Sequence, residues 1–200
     1  MNLALIASSI VMVLVIAHNI KRQKKAKALA ESEFWAREHK ANSTRRKSLD
    51  GLQYITIPLE SFPTHILQQN NDVAECIETL EALTSQKIVN LTGYTNTDLK
   101  LAYGTANITP LSEYDQNYTV LVRTLQKWAD ILIDNGYMDE AAVLMKFAVD
   151  TGSDISSTYY KLADYYNSKG DEAQLRYLKG MAGTLNSSNR NTILKHLNKQ

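Results

Sequence analysis

Two hundred residues with 44% apolar content, three Pro and eight Gly can fill one core of ordinary size and leave few interruptions to helices. The single cysteine, Cys76, excludes an internal disulfide, so nothing ties the chain to an oxidising compartment, and a buried structural thiol is its expected role. The net charge of +1 conceals an asymmetry: residues 1–47 hold ten Lys or Arg against three Glu, a net of +7, while the remainder holds 12 basic and 18 acidic residues, a net of −6. Plentiful Leu, Ala, Lys, Glu and Gln favour helix over sheet, so the expected fold class is all-α.

Residues 1–40 read as an anchor with a basic juxtamembrane helix. No charged residue lies between Leu3 and Ala17, and Ile10 to Ile16 is continuously apolar. The stretch from Met1 to Ile20, at about 1.5 Å per residue, matches a hydrocarbon core of roughly 30 Å, which predicts a transmembrane helix. Lys21, Arg22, Lys24, Lys25 and Lys27 follow it, whereas nothing before it is basic except the terminal amine. That asymmetry predicts a single-pass protein of the cell membrane with its N-terminus outside and its C-terminal body in the cytoplasm. A cleaved signal peptide is the rival, with Val15 and Ala17 as small residues before the cut, but signal peptides carry their positive charge ahead of the apolar run. The five cations serve as a stop-transfer flank and, compatibly, as a contact with anionic lipid headgroups at roughly 1 kcal/mol each. Ala26, Leu29 and Ala30 lead at helical spacing to Phe34 and Trp35, so the helix is expected to continue towards Lys40.

Residues 41–66 read as a linker. Asn42, Ser43 and Thr44 weaken helical propensity, and Arg45, Arg46 and Lys47 precede Ser48, Leu49, Asp50 and Gly51. Tyr54 to Ile57 are β-branched or aromatic and end at Pro58, which predicts an extended segment over residues 49–58. It serves either as a strap across the helical body or as a strand offered to another protein. The run from Arg45 to Ile55 also resembles a segment of small bacterial single-pass membrane proteins, and that resemblance brings no activity with it.

Residues 67–200 read as a helical domain. Val73, Cys76, Ile77, Leu80 and Leu83 recur at three and four, and a second helix is expected over Thr97 to Tyr103, stopped by Gly104. Thr105 to Ser112, with Pro110, reads as a loop. From Tyr114 onward one constant offset brings Ala129 onto Ala163, Gly136 onto Gly170, Leu144 onto Leu178 and Ala148 onto Ala182. The same offset places Leu125, Trp128 and Leu132 on Tyr159, Leu162 and Tyr166.

Over residues 114–185 this pattern, with its period of about 34 residues, resembles a divergent tetratricopeptide repeat, with units at 122–155 and 156–189 and a closing helix at 189–200. Small residues let antiparallel helices approach, large ones fill the layer between them, and Gly136 and Gly170 end the first helices where φ is positive. The sequence departs from the family at Ser153, where a proline is usual, and at Leu175, which takes a small position; Asp139 and Asp171 lie two short of a full period apart, so the second turn is shorter. Two units rarely suffice alone, so the helices from Asn71 to Gly104 are expected in front as a degenerate third unit, with Leu91 and Tyr94 lying one period before Leu125 and Trp128.

The resemblance implies a concave face lined by the first helix of each unit. It would turn Arg123, Gln126 and Asp130, then Tyr160, Asp164 and Asn167, towards a partner peptide or helix. The plainer reading of these six is a solvated helix face. Of Tyr159, Tyr160, Tyr165 and Tyr166, two are expected in the core and two exposed, the exposed pair being a candidate binding anchor.

No chemistry-bearing motif accompanies this. His18, His39, His65 and His196 are scattered without metal-ligand spacing, and HExxH, CxxC, the P-loop, Gly-x-Ser-x-Gly and the dinucleotide fingerprint are absent from the sequence. The expectation is no enzyme, no metal and no cofactor. Five Asn-x-Ser/Thr sequons, beginning at Asn42, Asn90, Asn107, Asn117 and Asn186, bear on the chain only if the body is extracellular. A membrane-tethered adaptor or scaffold is the leading functional expectation. A self-associating structural protein is the alternative, and a nucleic-acid binder using Arg45, Arg46 and Lys47 together with the juxtamembrane cations fits least, because the folded part is acidic and repels phosphate.

Overall fold

The computed structural model describes the backbone of residues 3–199 and, within the first helix, the side chains of Met12 and of Ile16 onward. Among these residues are eight α-helices, two short 3-10 turns and no strand, as an all-α chain requires. The helices are α1 (Leu3–Asn42), α2 (Asn71–Thr84), α3 (Asn96–Tyr103), α4 (Ile108–Asp134), α5 (Met138–Asp150), α6 (Ser156–Lys169), α7 (Glu172–Thr184) and α8 (Arg190–Leu197). They divide into two compact units, one joining residues 1–47 to 95–108, the other joining 48–94 to 109–200.

In the first unit the end of α1 packs on α3. Thr95 and Asp98 form a reciprocal capping box that starts α3, and Asp98 also receives Arg37 at 2.5 Å. Glu38 accepts from the Thr97 hydroxyl, and Lys100 donates to Asn42 at 2.8 Å. The chain leaving α1 is fastened as well. Asn107 is fully buried; its Nδ2 donates to the carbonyls of Lys47 at 2.8 Å and Tyr103 at 2.7 Å, and its Oδ1 accepts from Arg46 Nε at 3.1 Å. Gly104, at φ 90°, is the position that permits this, because a Cβ there would come within 2.2 Å of the Arg45 carbonyl oxygen. Arg46 and Lys47, expected in a linker, are therefore held by an asparagine some sixty residues on.

Among the described residues no helix is long and apolar enough to cross a membrane, so the transmembrane anchor expected at residues 1–20 gains no support. Met1, Asn2 and the side chains of residues 3–11 and 13–15, which make up most of that expected span, lie outside the described residues. From Lys21 to Ala36 every side chain of α1 is exposed, and the charges concentrated there suit water rather than hydrocarbon.

In the second unit Asn70 caps α2 by accepting from the amides of Asp72 and Val73, and Val73, Cys76, Leu80 and Leu83 bury one face. Residues 52–62 run without strand pairing, held by one main-chain bond from Ile55 N to Ile88 O at 2.9 Å. They form a strap on their own body. Ile57 and Phe62 are buried in the core, and the Phe62 ring meets Trp128 and Phe147 edge-on, with centroids 6.2 and 5.3 Å away.

The second helices recur at the offset, whereas the first do not match in length, α4 running 27 residues and α6 14. α5 and α7 begin one period apart, at Met138 and Glu172, and end one period apart, at Asp150 and Thr184. Gly136 and Gly170 adopt φ 85° and 68° in the turns between paired helices. Between α6 and α7 the turn is two residues against three between α4 and α5, and Asp171 caps α7 by accepting from Gln174 N. Ala129, Ala141, Ala148, Ala163 and Ala182 are buried where the helices approach.

Two expectations are corrected. Pro110 does not sit in a loop but in the first turn of α4, where its missing N–H has no carbonyl to lose. No degenerate helix pair precedes α4: α2 and α3 belong to different units, Leu91 is a buried loop residue, and Tyr94 is an exposed one.

Candidate partner-binding face

The six residues expected on the concave face lie on α4 and α6, and the structure treats them unequally. Arg123, Asp164 and Asn167 are exposed. Gln126 and Asp130 are half-buried and occupied: Gln126 Nε2 donates to Asp130 Oδ1 at 2.5 Å, Gln126 Oε1 accepts from the Thr158 hydroxyl, and Asp130 Oδ1 also receives Lys161 Nζ at 2.7 Å. These four residues stitch α4 to α6. The tie is polar, partly solvated and made across one repeat, so its first product is registry between the two leading helices.

Tyr160 is covered rather than offered. Its ring stacks on His196 of α8 with centroids 3.8 Å apart and planes 28° apart. Of the four tyrosines, Tyr159 and Tyr166 are buried, while Tyr160 and Tyr165, expected to be exposed, are half-buried. Thr158, Lys161 and His196 were not among the expected face residues. The first two could have been found by asking which polar residues lie just under one period beyond Gln126 and Asp130, since those positions confront each other across adjacent first helices. His196 carried no such signal, because the closing helix has no third unit for comparison.

Asp139 is held below the usual carboxylate range by a hydrogen bond from Lys169, which also raises the lysine. Tyr177 donates to Asp150 at 2.6 Å, and that bond together with partial burial pushes its pKa up to about 12. Burial pushes Tyr166 to about 12 as well, and it raises Tyr118, Tyr159 and the Cys76 thiol in the same direction. Among the described residues no group of His, Cys, Asp or Glu could hold a metal ion.

Lys21, Arg22, Lys24, Lys25 and Lys27 are all exposed on α1, with Met12, Ile16 and Ile20 exposed ahead of them and Leu29, Phe34 and Trp35 beyond. Phe34 and Trp35 meet edge-on at 5.4 Å.

A scan against protein-family models finds no match to this chain, and neither does a search of curated proteins or of solved structures. The reading of the site therefore stands on its own residues.

Proposed function

We propose that this chain is a membrane-tethered adaptor that grips a peptide or helix of another protein on the face led by α4 and α6. The observation that carries the reading is the recurrence of α5 and α7 at one constant period, beside which both first helices carry exposed polar side chains, Arg123 on α4 and Asp164 and Asn167 on α6. In a tetratricopeptide-like array the first helices line the ligand-facing side. The tether rests on the sequence: a charge-free leader followed by five exposed cations, which suits a single pass with the body on the cytoplasmic side and the cations at anionic headgroups.

The test uses the full chain in its native membrane, with a photo-crosslinking residue at position 123 or, as a control on the outer face of α5, at Val143, which is 43% exposed. The adaptor reading expects one discrete adduct from position 123 and none from 143, and expects Asp164→Arg to abolish it while helical content is unchanged. Equal capture from both positions, or capture indifferent to Asp164→Arg, overturns it. Trimming of the chain near residue 17 in the cell overturns the tether separately.

A second reading, a self-associating structural protein without a peptide groove, is favoured by one observation. Gln126 and Asp130 are already engaged by Thr158 and Lys161, so part of the face is committed internally. In that case the adduct from position 123 has the mass of two copies of this chain.

A further inference from the structure

α8 takes the place that the first helix of a third unit would take. It begins at Arg190, one period after α6 begins at Ser156, and it packs on both α6 and α7. Yet it is eight residues long, too short to hold helical form without the surface beneath it. Its grip consists of Ile193 and Leu197, both fully buried and four residues apart, Leu194 partly buried against the core, and His196 stacked on Tyr160. The grip is incomplete: the His196 Nε2 atom is buried and has no hydrogen-bond partner among the described residues, and Asn189 offers no side-chain cap to the helix start. The connection before α8 is held by two side chains on one carboxylate, Asp154 accepting from the Ser187 hydroxyl and from Asn189 Nδ2, the latter at 3.3 Å, so exchange of the helix requires only these polar ties to open.

We propose that the slot between α6 and α7 is a helix-binding site which its own α8 fills in this structure, and which the α8 of a second copy fills by exchange. The slot selects an amphipathic helix with two aliphatic residues four apart and a planar ring at the position before the second. A second copy supplies that pattern in full, and swapping an identical terminal element adds no new contacts that must be evolved. The adaptor reading is deepened by this, because Tyr160 then serves a helix partner rather than an extended peptide. It rests on that reading only for Tyr160's place on the face.

The probe is a fluorescent peptide of residues 186–200, added to the full-length chain. Wild type binds it weakly, because the tethered α8 competes at high effective concentration. In the full-length double variant Ile193→Asp, Leu197→Asp the chain's own helix cannot dock, and affinity for the peptide is expected to rise about tenfold or more. A control peptide carrying the same two substitutions binds neither protein. A folded double variant with no gain in affinity overturns the proposal. Should that variant lose its helical signal, hydrogen exchange in the unaltered chain decides: the amides of 190–197 are expected to exchange about a hundredfold faster than those of Tyr159 to Ala163, and equal protection overturns it. Because the probe is the chain's own segment, peptide binding with no adduct from position 123 sinks the adaptor reading alone, and the converse sinks the slot alone.

Discussion

Lys161 reaches from α6 to the Asp130 carboxylate on α4 at 2.7 Å, and the carboxylate is fixed from its own helix by Gln126. Both charged side chains keep about two fifths of their surface in water, at 38% and 41%, so screening limits what the contact contributes. A double-mutant cycle with Asp130→Ala and Lys161→Ala should give a coupling of about 0.2 to 1 kcal/mol in urea unfolding, shrinking as salt is raised. A coupling that ignores salt would mean that the pair acts through packing instead.

The strap should be the more expensive part of the second unit to disturb. Phe62 is 4% exposed and wedged between Trp128 and Phe147, so Phe62→Ala leaves a cavity and should cost about 3 to 5 kcal/mol of unfolding free energy. Tyr54, 37% exposed in the same segment, should tolerate alanine at well under half that cost. Equal losses at the two positions would show that the segment contributes as a whole and not through its buried ring.

Titration should show two regimes. Asp139 is held below its ordinary value of 3.8, so the unfolded chain takes up its proton first as pH falls. The stability it supplies is present above that value and is lost on acidification through the folded pKa, and Asp139→Asn should flatten this acid limb. The tyrosines act at the other end. Tyr166 and Tyr177 are raised to about 12 from 10.0, so their contribution is complete below 10 and fades as pH climbs towards 12. Phenolate absorbance of the folded chain should therefore show these two rings titrating late. A titration complete near 10 would contradict the burial of Tyr166 and the bond from Tyr177 to Asp150.

Two glycines with nearly the same backbone angle should respond differently to alanine. Gly136 has φ 85° with open space around it, so Gly136→Ala should cost about 1 kcal/mol of backbone strain alone. At Gly104, φ is 90° and the new methyl would collide with the Arg45 carbonyl, so Gly104→Ala should also release the bonds that Asn107 makes. Amide exchange across Asn96 to Tyr103 would report this. Loss of protection there, with the second unit unchanged, is the expected result.

How much of this was legible in the residues depended on whether a signal was local or periodic. The α5 and α7 recurrence could be read because small residues must repeat wherever helices pack closely, and Gly136 and Gly170 because a left-handed turn leaves few alternatives. Pro110 misled because the same residue that breaks a helix interior opens a helix well, and only the flanking turn distinguishes the two. Leu91 is buried, so its apolar character was read correctly, but burial in a loop leaves no period. The candidate face was legible in position and not in occupancy. Whether Asp130 is available depends on Lys161, and whether Tyr160 is available depends on a helix that starts thirty residues later.

α1 runs for 40 residues, with neither Gly nor Pro inside it, which at about 1.5 Å per residue makes a rod of roughly 60 Å. Because each residue also turns the helix by about 100°, the azimuth at which Arg37 and Glu38 present themselves to α3 is geared to every residue upstream. Deleting one residue between Lys27 and Phe34 swings the basic sector about a quarter-turn around the rod relative to those contacts. Inserting seven returns it almost to its starting angle, so the length of this helix works as a phase setting.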